Sequence, residues 1–238
     1  MTFSPALKLR SPRTNEIDIA GEEAVCDHGG ALYVPALRLL AVSDLHLEKG
    51  SAFARRGMLM PPYDTAATLL ALQAVIARYD PRIVISLGDS FHDSWGAERL
   101  PGAFREMLLA LMAGRDWFWI AGNHDPRPPA DLPGTTVAEL AIAALRFRHE
   151  PQAGAPDGEI AGHLHPCARI FQRGRSLRRR CFAGDGARLI MPAFGAYTGS
   201  LNILDRAYAG LFRRESLMAY MMGDSGVFPI AGSLLRPG

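Results

Sequence analysis

An α/β fold of two packed sheets with outer helices is predicted by three observations. The first half of the chain alternates apolar, strand-like runs with stretches of helical period, the pattern of a parallel α/β sheet. From residue 145 onward the runs become short, β-like and broken by Gly and Pro, which predicts a second, largely antiparallel sheet. A chain of 238 residues can bury one large core, so residues 1–238 read as a single domain, with residues 1–15 as a flexible N-terminal arm.

Residues 16–20 and 24–26 flank Gly21 and predict a hairpin ahead of the core. The apolar, β-rich run 31–43 stops at Asp44. Residues 49–62 (KGSAFARRGMLMPP) show no clean period and close on two prolines, so they read as a surface loop. Between residues 63 and 78, Ala67, Leu70, Ala71, Ala74 and Val75 recur at helical spacing. Pro81 precedes a strand over 82–87, a second helix fits 102–112, and 117–121 is a third strand. The later β-like runs are 145–148, 159–161, 168–171, 177–182 and 188–191.

Composition narrows the class. Hydrophobic residues make up 48% and charged residues 21%, which is ordinary for a globular chain. No stretch of about 18 consecutive apolar residues occurs, so no membrane span is expected. The start, MTFSPALKLRSPR, lacks the apolar core of a secretory signal, and a cytoplasmic location is the expectation. Three cysteines, Cys26, Cys167 and Cys181, stand far apart with no CxxC pair, which argues against a disulfide framework or a cysteine–zinc motif. Cys167, two residues past His165, reads as a small buried residue. Net charge is only +2, which excludes a globally basic coat for nucleic acid. Lys8 and Lys49 are the only lysines; the remaining cations are arginines, whose planar fork binds two phosphate oxygens at once.

Five short clusters then place metal-binding side chains along the chain. They are Asp44-Leu45-His46, Gly88-Asp89, Gly122-Asn123-His124-Asp125, His149, and Gly162-His163-Leu164-His165. Each follows an apolar run, and in α/β sheets functional groups gather past the carboxyl ends of strands. Mixed oxygen and imidazole donors suit Mn, Fe or Zn better than Mg or Ca. Two such ions about 3.5–4 Å apart are the usual device for hydrolysing phosphate esters. Asp44 and His46 are two apart, and His163 and His165 repeat that spacing, so on regular strands each pair shares a face. Gly88 permits a sharp turn that brings Asp89 between the ions. Asn123 offers a neutral oxygen, while the adjacent His124 is free to protonate a departing oxygen near neutral pH. His149, between Arg148 and Glu150, is the weakest donor on sequence grounds. His28 and His92 read as non-ligands, with His92 and Asp93 close enough to Asp89 to orient a ligand.

In this order the five stations resemble the calcineurin-like metallophosphoesterase superfamily, whose pattern is DxH, GD, GNHD, a single H, then GHxH. The resemblance implies a four-layer αββα sandwich and two divalent ions, Mn(II) before Fe or Zn, bridged by Asp89 and an attacking hydroxide. One ion would be held by Asp44, His46, Asp89 and His165, the other by Asp89, Asn123, His149 and His163. His124 would act near the leaving group.

Residues 44–65 (DLHLEKGSAFARRGMLMPPYDT), 162–170 (GHLHPCARI) and 191–202 (MPAFGAYTGSLN) are further similar to the bacterial ligase-associated DNA damage response phosphoesterases. This narrower resemblance implies a DNA endonuclease that works with an ATP-dependent DNA ligase and a helicase. It lifts Arg55 and Arg56 to candidate phosphate-binding residues. Residues 169–180 (RIFQRGRSLRRR) hold six arginines, readable as a DNA track or as a solvated hairpin. A small nucleotide phosphodiester is the rival substrate, and a non-catalytic scaffold of the same fold is the rival class. The intact His124 and full donor set argue against the scaffold. Whether the chain forms a homo-oligomer is left open by the sequence.

Overall fold

The computed structural model describes residues 15–126 and 131–238, so the expected N-terminal arm lies outside them except for its last residue. Asn15 is not part of an arm: it opens β1 (Asn15–Ile19), which pairs with β2 (Glu22–Cys26) as the predicted hairpin. The apolar run 31–43 is two strands, β3 (Leu32–Val34) and β4 (Leu39–Val42). A 3-10 turn opened by Pro35 and a left-handed Arg38 at φ 46° reverse the chain between them.

From β4 the sheet becomes parallel through β5 (Ile83–Leu87), β6 (Asp116–Ile120) and β7 (Thr135–Val137), in the order β1 to β7. All four residues of β4 are buried because both faces of the sheet are covered. Leu39 and Ala41 join the core between the sheets, while Leu40 and Val42 join the core under the helices. Burying the two leucines and the valine contributes roughly 1.5–3 kcal/mol each.

The helices are α1 (Lys49–Ala54), α2 (Asp64–Tyr79), α3 (Gly96–Arg99) and α4 (Gly102–Met112). α1 corrects the reading of 49–62 as loop. It is short and lacks a cap of its own, but Gly50 N–H donates to Asp64 Oδ2 at 2.9 Å and Glu48 N–H to Thr65 Oγ1 at 2.9 Å, tying it to α2. α2 lies where expected but turns a different face inward. Leu69, Leu72, Val75 and Ile76 pack on the sheet, whereas Ala67, Leu70, Ala71 and Ala74 face solvent.

The second sheet contains β8 (Glu139–Ile142), β9 (Leu145–Arg148), β10 (Glu159–Ala161), β11 (Pro166–Gln172), β12 (Arg175–Gly184), β13 (Arg188–Ile190), β14 (Leu201–Asn202), β15 (Met218–Gly223) and β16 (Gly226–Ala231). Its order is β14-β11-β12-β13-β10-β9-β8, with β15 also on β12 and β16 on β15. The sheet is largely antiparallel, as expected, but mixed, because β9, β10 and β13 run parallel at its centre. That centre sends the ends of β9 and β10 to the same edge. Phe147, Ile160, Phe182 and Leu189 meet Ile19, Leu32, Ile85 and Leu87 of the first sheet in a continuous apolar layer.

α2 and α4 cover the outer face of the first sheet. The outer face of the second is covered by Ile203, Tyr208, Leu211 and Leu217, in a segment holding a 3-10 turn (Arg206–Tyr208). The αββα sandwich is therefore present, with a fourth layer that carries 3-10 turns in place of an α-helix among the described residues. No helix among the described residues is long and apolar enough to cross a membrane.

Candidate metal centre

β4, β5 and β6 of one sheet and β9 and β10 of the other end beside one another, and the five clusters follow those ends. The convergence is not produced by regular strand alternation, as the spacing suggested. Asp44 (φ 53°), His46 (φ 44°), Asp89 (φ 46°), His163 (φ 66°) and His165 (φ 46°) all take left-handed backbone conformations. For L residues these cost roughly 1–2 kcal/mol each. Among the described residues, five of the eleven non-glycine residues at positive φ thus sit in one site, where the surrounding fold holds them.

Each carboxylate is fixed from behind. Asp44 Oδ2 accepts hydrogen bonds from Ser43 Oγ and from His163 N–H at 3.0 Å, and Asp89 Oδ1 accepts from His124 N–H at 2.9 Å. His149 Nδ1 donates to the Leu87 carbonyl at 2.9 Å, a bond between the two sheets that aims Nε2 into the centre. Gly88, at φ 73°, lets that ring in: a Cβ there would lie 2.4 Å from His149 Nδ1.

Among the described residues three groups of side chains stand close enough to share an ion: one is His46, His92 and His124, and the remaining two are made of the expected donors. Asp44, His46 and His165 form one, with His165 Nε2 at 3.1 Å from Asp44 Oδ1. Asp89, His149 and His163 form the other, and Asn123 Oδ1 lies 2.9 Å from His149 Nε2 and 3.0 Å from His163 Nδ1. Asp89 sits between them, Oδ2 at 3.9 Å from His46 Nε2 and Oδ1 at 3.5 Å from His149 Nε2. All seven candidate donors are brought together.

Three observations test whether divalent cations fit. Asn123 Oδ1, His149 Nε2 and His163 Nδ1 lie within 3.2 Å of one another. Donors at 2.0–2.1 Å from an ion in octahedral geometry stand roughly 3 Å apart. Asp44 Oδ1 is buried without a well-aligned hydrogen-bond donor. The charge pattern also asks for cations. Burial alone would raise the Asp89 carboxyl, but the His149 hydrogen bond and charge bring it to about 2. Burial opposes charging His149, yet Asp89 and Asp44 raise it to about 9. Burial pushes His46 down to about 3, leaving it neutral, the state in which imidazole binds metal.

A cleft of about 510 Å³ opens beside the centre, lined by Arg55, Arg56, His92, Trp95, Asn123 and His124 among others. His124 Nδ1 hydrogen-bonds to the His92 carbonyl at 3.0 Å, and its Nε2 lies 4.0 Å from Asp89 Oδ2. His92 therefore orients His124 through its backbone. Asp93 orients none of the candidate donors, which corrects that expectation: its carboxylate takes both Arg99 amino groups at 2.9 and 3.0 Å and the Trp95 N–H at 2.9 Å.

The arginine run lies elsewhere, on the β11–β12 hairpin. Arg178 Nη2 donates to the Ser200 carbonyl at 2.6 Å and Arg180 Nη1 to the Ala193 carbonyl at 2.9 Å, and none of the six lines the cleft. Cys167 is buried, as expected. The sequence shows Asp125 in its cluster without a role and gives no role to Trp95. Asp125 accepts the Phe91 N–H at 3.0 Å under the GNHD turn, and burial pushes its carboxyl up to about 7. Trp95 stands in the cleft wall, and its only sequence signal is its place six residues after Asp89.

Scaffold and donors together define a binuclear metal-dependent phosphoesterase. The chain belongs to the calcineurin-like phosphoesterase family, which residues 37–177, more than half of the sequence, match. Its structure is similar to that of the Pseudomonas putida nuclease MPE, with 29% identity and a TM-score of 0.69 over 92% of this chain and 100% of that one. It is also 29% identical over 160 residues to the 3′,5′-cyclic adenosine monophosphate phosphodiesterase CpdA of Pseudomonas aeruginosa, covering 66% of this chain and 53% of that protein. The chain thus matches about half the length of that curated relative.

Proposed function

We propose that this enzyme is a nuclease that hydrolyses phosphodiester bonds in DNA, with two divalent ions, Mn(II) before Fe or Zn, held by Asp44, His46, Asp89, Asn123, His149, His163 and His165. The observation that carries the reading is the cleft at the edge of the donor set, which Arg55 and Arg56 line together with Asn123 and His124. The likeness to nuclease MPE along 92% of the chain supports a nucleic acid as the substrate over a small nucleotide. The motif resemblance over residues 44–65, 162–170 and 191–202 supports a role in repair beside an ATP-dependent DNA ligase and a helicase, and a cytoplasmic location is proposed with it.

When bound, the two cations supply positive charge for the phosphate oxygens and lower the pKa of an attacking water. The remaining work falls to the chain. Asp89, pinned by the His124 N–H, positions both halves of the donor set. Asn123 takes part without adding negative charge that would repel the phosphodiester. His124 is held through Nδ1 by the His92 carbonyl, which leaves Nε2 to donate a proton to the departing oxygen. Arg55 and Arg56 bind non-bridging oxygens of the scissile or a flanking phosphate, where a guanidinium makes paired hydrogen bonds.

The test is cleavage by the Mn-loaded protein of single-stranded, duplex and nicked DNA beside 3′,5′-cyclic AMP. DNA cleavage with the larger kcat/KM is the expected result. Faster turnover of the cyclic nucleotide, with DNA left intact, would replace this reading by the one that CpdA suggests.

A further inference from the structure

We propose that Trp95 is a stacking platform for a nucleobase next to the scissile phosphodiester, so that the cleft reads a base as well as a phosphate. The proposal rests on the nuclease reading for the identity of the substrate. Of the three tryptophans, Trp117 and Trp119 are core residues at 3% exposure, whereas Trp95 is 57% exposed. It lines the same cleft as Arg55, Arg56, Asn123 and His124. A flat apolar ring facing water beside two guanidinium groups offers one surface for a base and another for its phosphate.

The ring is mounted on a rigid turn. The Trp95 N–H donates to Asp93 Oδ1 at 2.9 Å, and both amino groups of Arg99 hold that carboxylate. Arg99 Nε in turn donates to Ser51 Oγ at 3.0 Å, on the helix that leads into Arg55 and Arg56. One arginine thus ties the aromatic wall to the basic wall. Gly96 seats the turn on the core: a Cβ there would lie 2.8 Å from the Cβ of buried Phe91. The same pairing neutralises Asp93, which would otherwise repel a phosphate. Arg55 and Arg56 have no carboxylate partner among the described residues, so both remain available to an anion. At about 510 Å³ the cleft lies within the roughly 300–1,000 Å³ range of small-ligand pockets.

Two measurements test the proposal. The first is a chemical double-mutant cycle with thymidylyl-thymidine and its two analogues lacking one base. Trp95→Ala should lower kcat/KM for the intact dinucleotide roughly 5- to 150-fold, chiefly through KM, and Trp95→Phe should restore most of it. Removing one of the two bases should cost the wild type a similar factor, and combining the two changes should cost little more. Losses that multiply, or a Trp95→Ala loss equal for all three substrates, overturn the proposal. The second is quenching of tryptophan emission by thymidine monophosphate, which should saturate in the wild type and vanish in Trp95→Ala. Equal quenching in both proteins also overturns it. If the wild type cleaves none of the dinucleotides while quenching still depends on Trp95, the platform stands and the nuclease reading falls.

Discussion

The donor set and the cleft beside it are built by opposite means. In the donor set, left-handed backbone at Asp44, His46, Asp89, His163 and His165 aims the side chains, and buried bonds from Ser43, His163 N–H and His124 N–H hold the carboxylates. In the cleft, Arg55, Arg56 and Trp95 are exposed, and their reach comes from the side chains themselves. His124 belongs to both: its backbone pins Asp89, while its ring is 42% exposed. A centre fixed by backbone has no neighbouring arrangement to relax into, so damage there should be close to all-or-none. A wall of exposed side chains should lose function by degrees.

The largest effect tests the rigid half. Asp89→Asn should bind neither ion fully and lose at least the roughly 100- to 1,000-fold that one preorganised electrostatic group is worth. Elemental analysis showing two ions per chain at normal turnover would remove Asp89 from the centre. Gly88→Ala keeps every donor yet should fall with it, because the new Cβ would displace the His149 ring. If that variant keeps its metals, the geometry is softer than the backbone suggests.

His124→Ala comes next and should split the two roles. Its backbone N–H still reaches Asp89, so metal content should hold, while the rate with poor leaving groups falls about 100-fold. The loss should shrink for a p-nitrophenolate leaving group. An equal loss across leaving groups would mean that the ring positions the phosphate and donates no proton.

Smaller still is the expected change in the basic wall. Replacing Arg55 and Arg56 with Ala should weaken DNA cleavage about tenfold and lower the salt dependence by about 0.7–0.9 on the log–log slope for each lost phosphate contact. Metal content should not move. The smallest effect belongs to Arg178→Ala with Arg179→Ala on the hairpin, away from the cleft. A salt slope that drops more there than at Arg55 and Arg56 would reverse the comparison and put the DNA track on the hairpin. Arg180 is a poor probe of that question, because its bond to the Ala193 carbonyl is structural.

What could be read from the sequence follows the same division. DxH, GD, GNHD and GHxH are local strings, so the residues that converge were visible before the fold. The backbone that makes them converge was not: spacing suggested alternation on a strand, and the left-handed angles are imposed by contacts from distant segments, such as Gly195 N–H on the Asp44 carbonyl at 3.1 Å. α2 was visible as a helix, but LLALQAVIA is apolar nearly all round, so period alone could not choose its inner face. α1 depends on Asp64 and Thr65 from the next helix, and its six residues carry no cap signal. β7, with only Thr-Thr-Val, is too short to show a period. The β15–β16 hairpin at the end of the chain went unread for a different reason: Met, Gly and Pro interrupt its alternation.

The bond from His149 to the Leu87 carbonyl crosses from one sheet to the other, and so does the pairing of Asp44 with His165. Sheets in a sandwich pack about 10 Å apart, and a donor set drawn from both works as a caliper on that spacing. A substitution deep in the shared layer, at Phe147 or Phe182, touches no donor, yet it would open the jaws and register as weakened affinity for the ions.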